Sequence, residues 1–270
     1  MIVIRPSSLK AYFECQRRWL FDILQPVPKA SEHLIVGQCV HAMIESYLSN
    51  HYTNDRQREF KYVCKELADI FKNTINKELA QANISRATDY GSYAERVLIA
   101  FAKSFDDSHI VAREFEFLSE QRLSIKLSDN ICFAGSFDIL LKEKGKDSAV
   151  LWDIKTMASK QHLPAYLTQL SSYALLVKHC LKLDVTELGV IKIVKAKRMY
   201  CEFESTQDAS FIAFCIHSTE ALVKFLATTL NKYLVTNNEY LFKANPNHWT
   251  CNASFCAHFN ECKERRENGD

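Results

Sequence analysis

Residues 151–156, LWDIKT, place a carboxylate and an ammonium two positions apart in an otherwise apolar stretch. If this stretch is a β-strand, Asp153 and Lys155 project from one face while Trp152 and Ile154 project from the other. One interpretation is an exposed ion pair on an edge strand, which would contribute little to stability. The other is half of a metal-dependent hydrolytic site, in which the carboxylate binds a divalent ion and the lysine lies beside the attacking water.

A second acidic residue, Asp138, lies 15 residues earlier in the segment GSFDILLK. The part FDILLK can pair as a hairpin with AVLWDIKT, and Gly135 allows another group to approach the backbone closely. Two buried carboxylates repel each other and lose hydration, so we expect a divalent cation to neutralise them. Oxygen ligands of this kind suit Mg²⁺ or Mn²⁺.

Composition places the chain among ordinary folded proteins. Its 270 residues, 47% of them hydrophobic, can bury a full core, and only six glycines and five prolines occur, so one domain is expected over residues 1–270. Lys and Arg number 34 against 32 Asp and Glu, so the total charge does not indicate a nucleic-acid binder. Because no leader pattern or long apolar run occurs, we expect a soluble, cytoplasmic protein with no membrane partner.

Hydrophobic periodicity predicts the elements that position these residues. Helical patterns cover 7–24, Gly37 to about Ser49, 56–82, 90–107, the segment after Pro164, and about Ala209 to Val235. Strand patterns lie between 110 and 156 and in the segments ELGVIKIVK and RMYCEFES. The sequence therefore predicts an α/β fold with a central mixed β-sheet flanked by helices. We divide it into a mainly helical part (1–108), a catalytic core (109–205) and a C-terminal helix with a Cys-rich tail (206–270).

The order of these residues resembles the PD-(D/E)xK nuclease superfamily, and within it the RecB-like exonuclease group. Asp138 and Asp153-x-Lys155 match its central motif, and QLSSY, with Gln169 and Tyr173 on one helix face, resembles its Q-x-x-x-Y motif. The segment GQCVHAMIE resembles the G-x-x-x-H motif of that group, and VAREFEF resembles a strand that carries an additional acidic residue. The resemblance implies a restriction-endonuclease-like core.

The resemblance also implies a role for each matched residue. His41, Asp138, Asp153 and the backbone carbonyl of Ile154 would hold Mg²⁺ or Mn²⁺. Lys155 would orient or deprotonate the attacking water and offset charge on the phosphate. Gln169 and Tyr173 would position the substrate strand or the lysine. The additional acidic residue would be Glu114, with Glu116 as the second match. Any one of these side chains alone is more often structural, but together they occur in the expected order on the expected elements.

The chain carries cysteines near both of its ends. Cys15 lies near the start, and Cys251, Cys256 and Cys262 lie in the tail WTCNASFCAHFNEC. This layout resembles the AddB-type and CRISPR-associated exonucleases, which implies a [4Fe-4S] cluster on the four thiolates. A structural Zn²⁺ site, with His258 available, and ordinary thiols are the alternatives. We expect the other six, Cys39, Cys64, Cys132, Cys180, Cys201 and Cys215, to be core cysteines.

The leading functional hypothesis is a metal-dependent DNA exonuclease that acts in end processing, recombination or repair. A non-catalytic DNA-binding or assembly module with a nuclease fold is a second hypothesis, although every predicted site residue is present. An RNA-directed nuclease on the same fold is a third. No helicase motif occurs in the sequence, so unwinding of DNA would require a helicase or recombination partner.

Overall fold

The computed structural model describes residues 1–25, 32–53, 60–82, 84, 90–106, 115–118, 120–157, 162–194 and 199–262. Its α-helices are α1 (Leu9–Glu14), α2 (Gln16–Leu24), α3 (Glu32–Thr53), α4 (Phe60–Gln81), α5 (Tyr90–Asp106), α6 (Leu167–Leu181) and α7 (Ala209–Thr236). Short 3-10 helices cover Pro6–Ser8, Leu163–Tyr166 and Glu239–Leu241.

The strands are β1 (Ile2–Ile4), β2 (Phe115–Leu118), β3 (Arg122–Lys126), β4 (Ile131–Ser136), β5 (Ile139–Glu143), β6 (Ser148–Met157), β7 (Asp184–Val194) and β8 (Tyr200–Thr206). Five of them form a mixed sheet in the order β2-β5-β6-β7-β8, in which β6 and β7 pair in parallel and the other described pairs are antiparallel. The other three form a smaller sheet in the order β1-β4-β3. The predicted α/β class with a mixed sheet flanked by helices is confirmed.

The five-stranded sheet separates two hydrophobic cores. Val150, Trp152 and Ile154 of β6 pack into the core that contains α3, α4 and α5. Leu151 of β6 packs into the opposite core, together with α2, α6 and α7. Successive residues of β6 therefore point to opposite faces, as the period of a strand requires. The sheet lies between two helical layers, and Asp153 and Lys155 face the α6 layer.

Two predicted elements are each divided in the structure. The expected strand over residues 131–142 stops at Ser136 and resumes at Ile139, because β4 pairs with β1 and β3 whereas β5 pairs with β2 and β6. The expected helix over 7–24 is interrupted at Cys15, whose backbone is extended (φ −159°, ψ 109°). The helix expected after Gly37 begins earlier, at Glu32. The predicted start of α4 at residue 56 lies outside the described residues.

Helix α7 begins at the predicted residue and ends one residue beyond the predicted end. Asp208 caps it by accepting hydrogen bonds from the backbone N–H groups of Ser210 and Phe211, both at 3.0 Å. Within the described residues it is the one helix whose length and composition would suit a membrane span. It contacts α6 through a 2.7 Å hydrogen bond between the hydroxyls of Ser171 and Thr219, and it buries one face in the core beside the sheet.

Candidate active site

Asp153 and Lys155 lie side by side on β6, as the strand spacing predicts. The Lys155 Nζ atom is 2.5 Å from Asp153 Oδ2. The Asp153 side chain is only 2% exposed and that of Lys155 is 26% exposed. The interpretation as an exposed ion pair is therefore wrong, because the carboxylate lies inside the protein, where a charge needs compensation.

Asp138 lies immediately before β5 and contacts residues of β6 and α3. Its Oδ2 atom accepts a 2.8 Å hydrogen bond from the backbone N–H of Ile154 on β6. Its Oδ1 atom is 3.2 Å from Nδ1 of His41, which lies on α3, 97 residues away in sequence. Helix α3 packs on one face of the sheet, so His41 reaches Asp138 at the point where β5 begins. The structure thus brings together His41, Asp138 and Asp153, three of the predicted metal ligands.

The two buried carboxylates have opposite proton affinities. Burial and the nearby charge of Asp138 raise the pKa of Asp153 to about 7, against the effect of Lys155. Burial also acts to raise the pKa of Asp138, but the hydrogen bond from His41, the charge of His41 and the Ile154 N–H outweigh burial, so the net pKa is lowered. Asp138 is therefore ionised near neutral pH, whereas burial opposes the ionisation of Asp153.

Helix α6 supplies the polar groups that face Asp153 from the neighbouring layer. The Gln169 Nε2 amide donates to Tyr173 Oη at 3.0 Å and to Asp153 Oδ1 at 3.4 Å. A Cβ atom placed on Gly135 would lie 2.8 Å from the Pro6 ring and 3.1 Å from the Tyr173 ring. The absence of a side chain at Gly135 therefore allows Pro6 and Tyr173 to approach β4, as its sequence context predicts.

The additional acidic residue is the one match that the described residues do not bring to the carboxylates. Glu114 lies outside the described residues. Glu116 lies on β2, where it pairs with Lys142 and is exposed to solvent. Sequence reasoning missed Tyr166, whose ring centroid is 5.9 Å from Lys155 Nζ. Its position three residues before Gln169, about one helical turn, is the signal that could have indicated it.

The chemistry of the carboxylate site fits a hard divalent ion. Two carboxylates and an imidazole converge there, and burial together with the charge of Asp138 opposes ionisation of Asp153 more than Lys155 favours it. No three His, Cys, Asp or Glu side chains among the described residues form a ready-made metal cage. At the carboxylate site, Asp138 is hydrogen-bonded to His41 and to the Ile154 N–H, and the ammonium of Lys155 contacts Asp153.

The four predicted cluster cysteines surround one cavity between α2 and the tail. Its volume is about 250 Å³, and its lining residues are Cys15, Arg18, Phe21, Thr250, Cys251, Cys256, His258, Phe259 and Cys262. The Asn245 backbone N–H donates to Cys15 Sγ at 3.4 Å, and the His258 backbone N–H donates to the Cys256 sulfur. The imidazole of His258 is buried and contacts Asp22 through Nε2 at 3.1 Å.

The remaining cysteines follow the prediction of core positions only in part. Cys39 and Cys132 are buried. Cys180 is exposed, because it lies near the end of α6, where its thiol donates to the backbone carbonyl of Ser124 on the smaller sheet. Cys201 and Cys215 are half-buried, on the edge strand β8 and on α7. The Cys64 side chain lies outside the described part of the structure.

Three comparisons relate the chain to known proteins. The profile of the PD-(D/E)XK nuclease superfamily matches residues 4–263. Among solved structures, a presumptive exonuclease from Eubacterium rectale superposes with a TM-score of 0.51 at 10% identity, covering 91% of this chain and 85% of that chain. An alkaline exonuclease from Laribacter hongkongensis has a TM-score of 0.27 at 10% identity, covering 74% of this chain and 99% of that chain. A search of curated protein sequences gives no significant match.

The family profile covers almost the whole chain, including every element that contributes to the carboxylate site. The structural likeness to the E. rectale protein concerns the fold alone, and it extends over most of both chains. The finer AddB-type subgroup stays a prediction. On the basis of the profile match, the chain belongs to the PD-(D/E)XK nuclease superfamily.

Proposed function

We propose that this protein is a Mg²⁺- or Mn²⁺-dependent deoxyribonuclease, and specifically an exonuclease that processes DNA ends in recombination or repair. The observation that carries the proposal is the position of Asp153, which is 2% exposed, next to Asp138 and in contact with Lys155. A buried carboxylate beside a second carboxylate is suited to a divalent cation. The cytoplasmic location and the action of residues 1–270 as one nuclease domain belong to the same proposal.

His41, Asp138, Asp153 and the backbone carbonyl of Ile154 would hold the metal ion. When bound, such an ion polarises the scissile phosphate and lowers the pKa of water. Lys155 is held at the carboxylate by its contact with Asp153, where its ammonium can orient the attacking water, exchange a proton with it and offset charge on the phosphate.

Helix α6 orients the side chains of the carboxylate site. Gln169 bridges Asp153 and Tyr173, so it fixes the carboxylate through the oxygen that Lys155 does not contact. Tyr166 covers the ammonium of Lys155 with its ring. We assign Gln169 and Tyr173 to positioning of the DNA strand or of the lysine. Glu114 would add a carboxylate from the segment that precedes β2.

A cleavage assay on end-labelled DNA tests this function. Single-stranded and double-stranded DNA, and RNA of the same sequence, are incubated with the protein in Mg²⁺, in Mn²⁺ and in EDTA. We expect metal-dependent release of mononucleotides or short products from DNA ends. Cleavage of RNA alone would support an RNA-directed nuclease. DNA binding without cleavage in either metal would support a non-catalytic module and contradict the proposed activity.

We propose further that Cys15, Cys251, Cys256 and Cys262 hold a [4Fe-4S] cluster, with structural Zn²⁺ as the alternative. The support is that the four thiols line one cavity of about 250 Å³, and that two of them accept backbone N–H groups. Hydrogen bonds to sulfur are typical of iron–sulfur sites. His258 uses Nε2 to contact Asp22, so only its Nδ1 atom could serve in a mixed zinc site.

A further inference from the structure

A second lysine lies directly beside Lys155 in the central sheet. Lys192 on β7 is in register with Lys155 on β6, and the two strands pair in parallel, so both side chains leave the same face. The side chain of Lys192 is 0% exposed. Its strand neighbours Val190, Ile191 and Ile193 are buried and apolar, as expected for an inner strand. An ammonium in such a position is costly unless it is paired, so it requires an explanation.

The partners of Lys192 are two glutamates of the edge strand β8. Its Nζ atom lies 2.5 Å from Glu204 Oε2 and 3.6 Å from Glu202 Oε2. Glu204 is in register with Val190, and Glu202 with Lys192, so the glutamates also project on the face that carries Lys155. Lys192 cannot contact DNA because it is fully buried, but Glu204 is 29% exposed and lies at the border of the site.

Glu204 in turn connects the sheet to the start of α6. It accepts a hydrogen bond from the backbone N–H of Leu163, the first residue of the 3-10 helix Leu163–Tyr166. That helix ends at Tyr166, whose ring lies over the Lys155 ammonium. It continues without a break into α6, where Gln169 reaches Asp153. A series of direct contacts therefore runs from Lys192 through Glu204 to the groups that surround Asp153 and Lys155.

We propose that Lys192 is a positioning residue for the nuclease site, acting through Glu204 to hold the 3-10 helix, and with it Tyr166 and Gln169, against Asp153 and Lys155. The effect on catalysis rests on the nuclease function proposed above. Without the buried ammonium, the partly exposed Glu204 loses its nearest counterion, keeps only the 3.8 Å contact with the exposed His162, and favours solvent. The Leu163 N–H would then lose its acceptor, and the start of α6 would move relative to β6.

The test compares Lys192→Met, which removes the charge and keeps most of the length of the side chain, with Lys178→Met. The control Lys178 forms an exposed 3.9 Å pair with Asp184 at the other end of α6. We expect Lys192→Met to lower kcat for DNA cleavage by about 10- to 100-fold, the usual effect of losing a supporting contact behind catalytic ligands, with little change in KM. Lys178→Met should leave both constants unchanged.

The double variant Lys192→Met with Glu204→Gln separates positioning from general destabilisation. The neutral side-chain amide that Glu204→Gln introduces can accept the Leu163 N–H without a counterion, so we expect the double variant to recover part of the kcat lost in Lys192→Met. A double variant no more active than Lys192→Met, or a folded Lys192→Met protein with wild-type kcat, would overturn the proposal. If Lys192→Met does not fold, Glu204→Ala replaces it, and the same loss of kcat is expected from removing the acceptor.

Hydrogen exchange gives a readout that does not depend on cleavage. Amide exchange over residues 163–173 should accelerate in Lys192→Met or Glu204→Ala, and should remain at the wild-type rate in Lys178→Met. Faster exchange in these variants, when the wild-type protein has no nuclease activity, would contradict the proposed function while supporting the positioning role. Wild-type exchange rates in both Lys192→Met and Glu204→Ala would contradict the positioning role, whatever the nuclease activity.

Discussion

Lys155 is the residue whose contribution to the reaction can be measured most directly. Its ammonium contacts Asp153 and is 26% exposed, so it can reach both the carboxylate and a bound water. We predict that Lys155→Met lowers the rate of DNA cleavage by about 10²- to 10⁴-fold, the range for loss of a proton-transferring group. Single-turnover cleavage in saturating Mn²⁺ measures this effect. Lys126→Met, which removes an exposed lysine on β3, is the control, and equal rates for the two variants would contradict the assignment.

Asp153 gives a prediction about stability without metal. Its pKa of about 7 in the native state lies above that of an unfolded aspartate, about 3.9. The native state therefore binds more protons than the unfolded state between these values, so this residue makes stability fall as the pH rises from about 4 to 7. In EDTA, Asp153→Asn should remove that decline and unfold at a higher temperature than wild type at pH 8.

Thermal unfolding followed by circular dichroism from pH 5 to pH 8 measures this difference. Mg²⁺ should stabilise wild type at pH 8 and have little effect on Asp153→Asn, because a bound ion compensates only the ionised carboxylate. Asp129→Asn, at a solvent-exposed carboxylate, is the control and should follow wild type. Parallel pH profiles for wild type and Asp153→Asn would show that the buried charge is compensated in another way.

At the scale of elements, the contact between β4 and α6 depends on Gly135. A methyl group there would lie 2.8 Å from the Pro6 ring and 3.1 Å from Tyr173, so one of these groups must shift. We predict that Gly135→Ala destabilises the protein by about 1–3 kcal/mol, as overpacking typically does, and that it reduces cleavage by displacing Tyr173. Urea unfolding and the cleavage assay measure the two effects.

Gly37 is the matched control for that substitution. It lies inside α3, and a Cβ atom there would meet Thr156 Oγ1 at an ordinary contact distance of 3.6 Å. Gly37→Ala should therefore stabilise the protein by about 0.5–1 kcal/mol through the better helix propensity of alanine. Equal losses of stability in both variants would show that the close approach at Gly135 is not what determines the effect.

The sequence predicted most elements well, and the errors have a physical pattern. The helices α5, α6 and α7 and the strands β6, β7 and β8 follow strong apolar periodicity, which local residues determine. The division between β4 and β5 depends on strand partners that are remote in sequence, so the continuous pattern of ICFAGSFDILLK does not indicate it. The strand β1 has only three residues, too few to form a recognisable pattern.

The candidate site was predictable because its residues carry the chemistry in a fixed order. The spacing of Asp153 and Lys155 determines their common face, and that of Gln169 and Tyr173 a common helix face. The opposite pKa shifts of Asp138 and Asp153 were not predictable, because they depend on burial and on the contact with His41. The buried lysine of β7 was likewise missed, since only the register of β6 and β7 places it beside Lys155.

At the scale of the whole molecule, the cysteine cavity joins segments separated by more than two hundred residues. Closing so long a loop costs conformational entropy on folding, and metal bound only in the native state would offset that cost and stabilise the protein. We predict that protein purified without oxygen is brown, with broad absorption near ~400 nm from thiolate-ligated iron. Cys256→Ala should lose the iron and the colour and unfold at a lower temperature.

Cys215→Ala is the control for this prediction, because Cys215 is half-buried on α7, outside the cavity. It should keep the iron content of wild type. Colourless protein with about one zinc per chain would favour the zinc alternative, since structural zinc uses the same thiolates. Absence of both metals from protein made under reducing, iron-replete conditions would identify the four residues as ordinary thiols.

The contacts between α1, α2 and the segment after α7 also determine when folding can finish during synthesis. The Asn245 side chain donates to the Glu14 carbonyl at 3.0 Å, the Arg17 N–H donates to the Lys243 carbonyl at 3.2 Å, and the ring of Trp19 lies against Phe242. A ribosome releases α1 and α2 long before it releases these partners. Trp19, fully buried in the finished protein, therefore lacks its contact with Phe242 on a nascent chain until residue 242 has emerged.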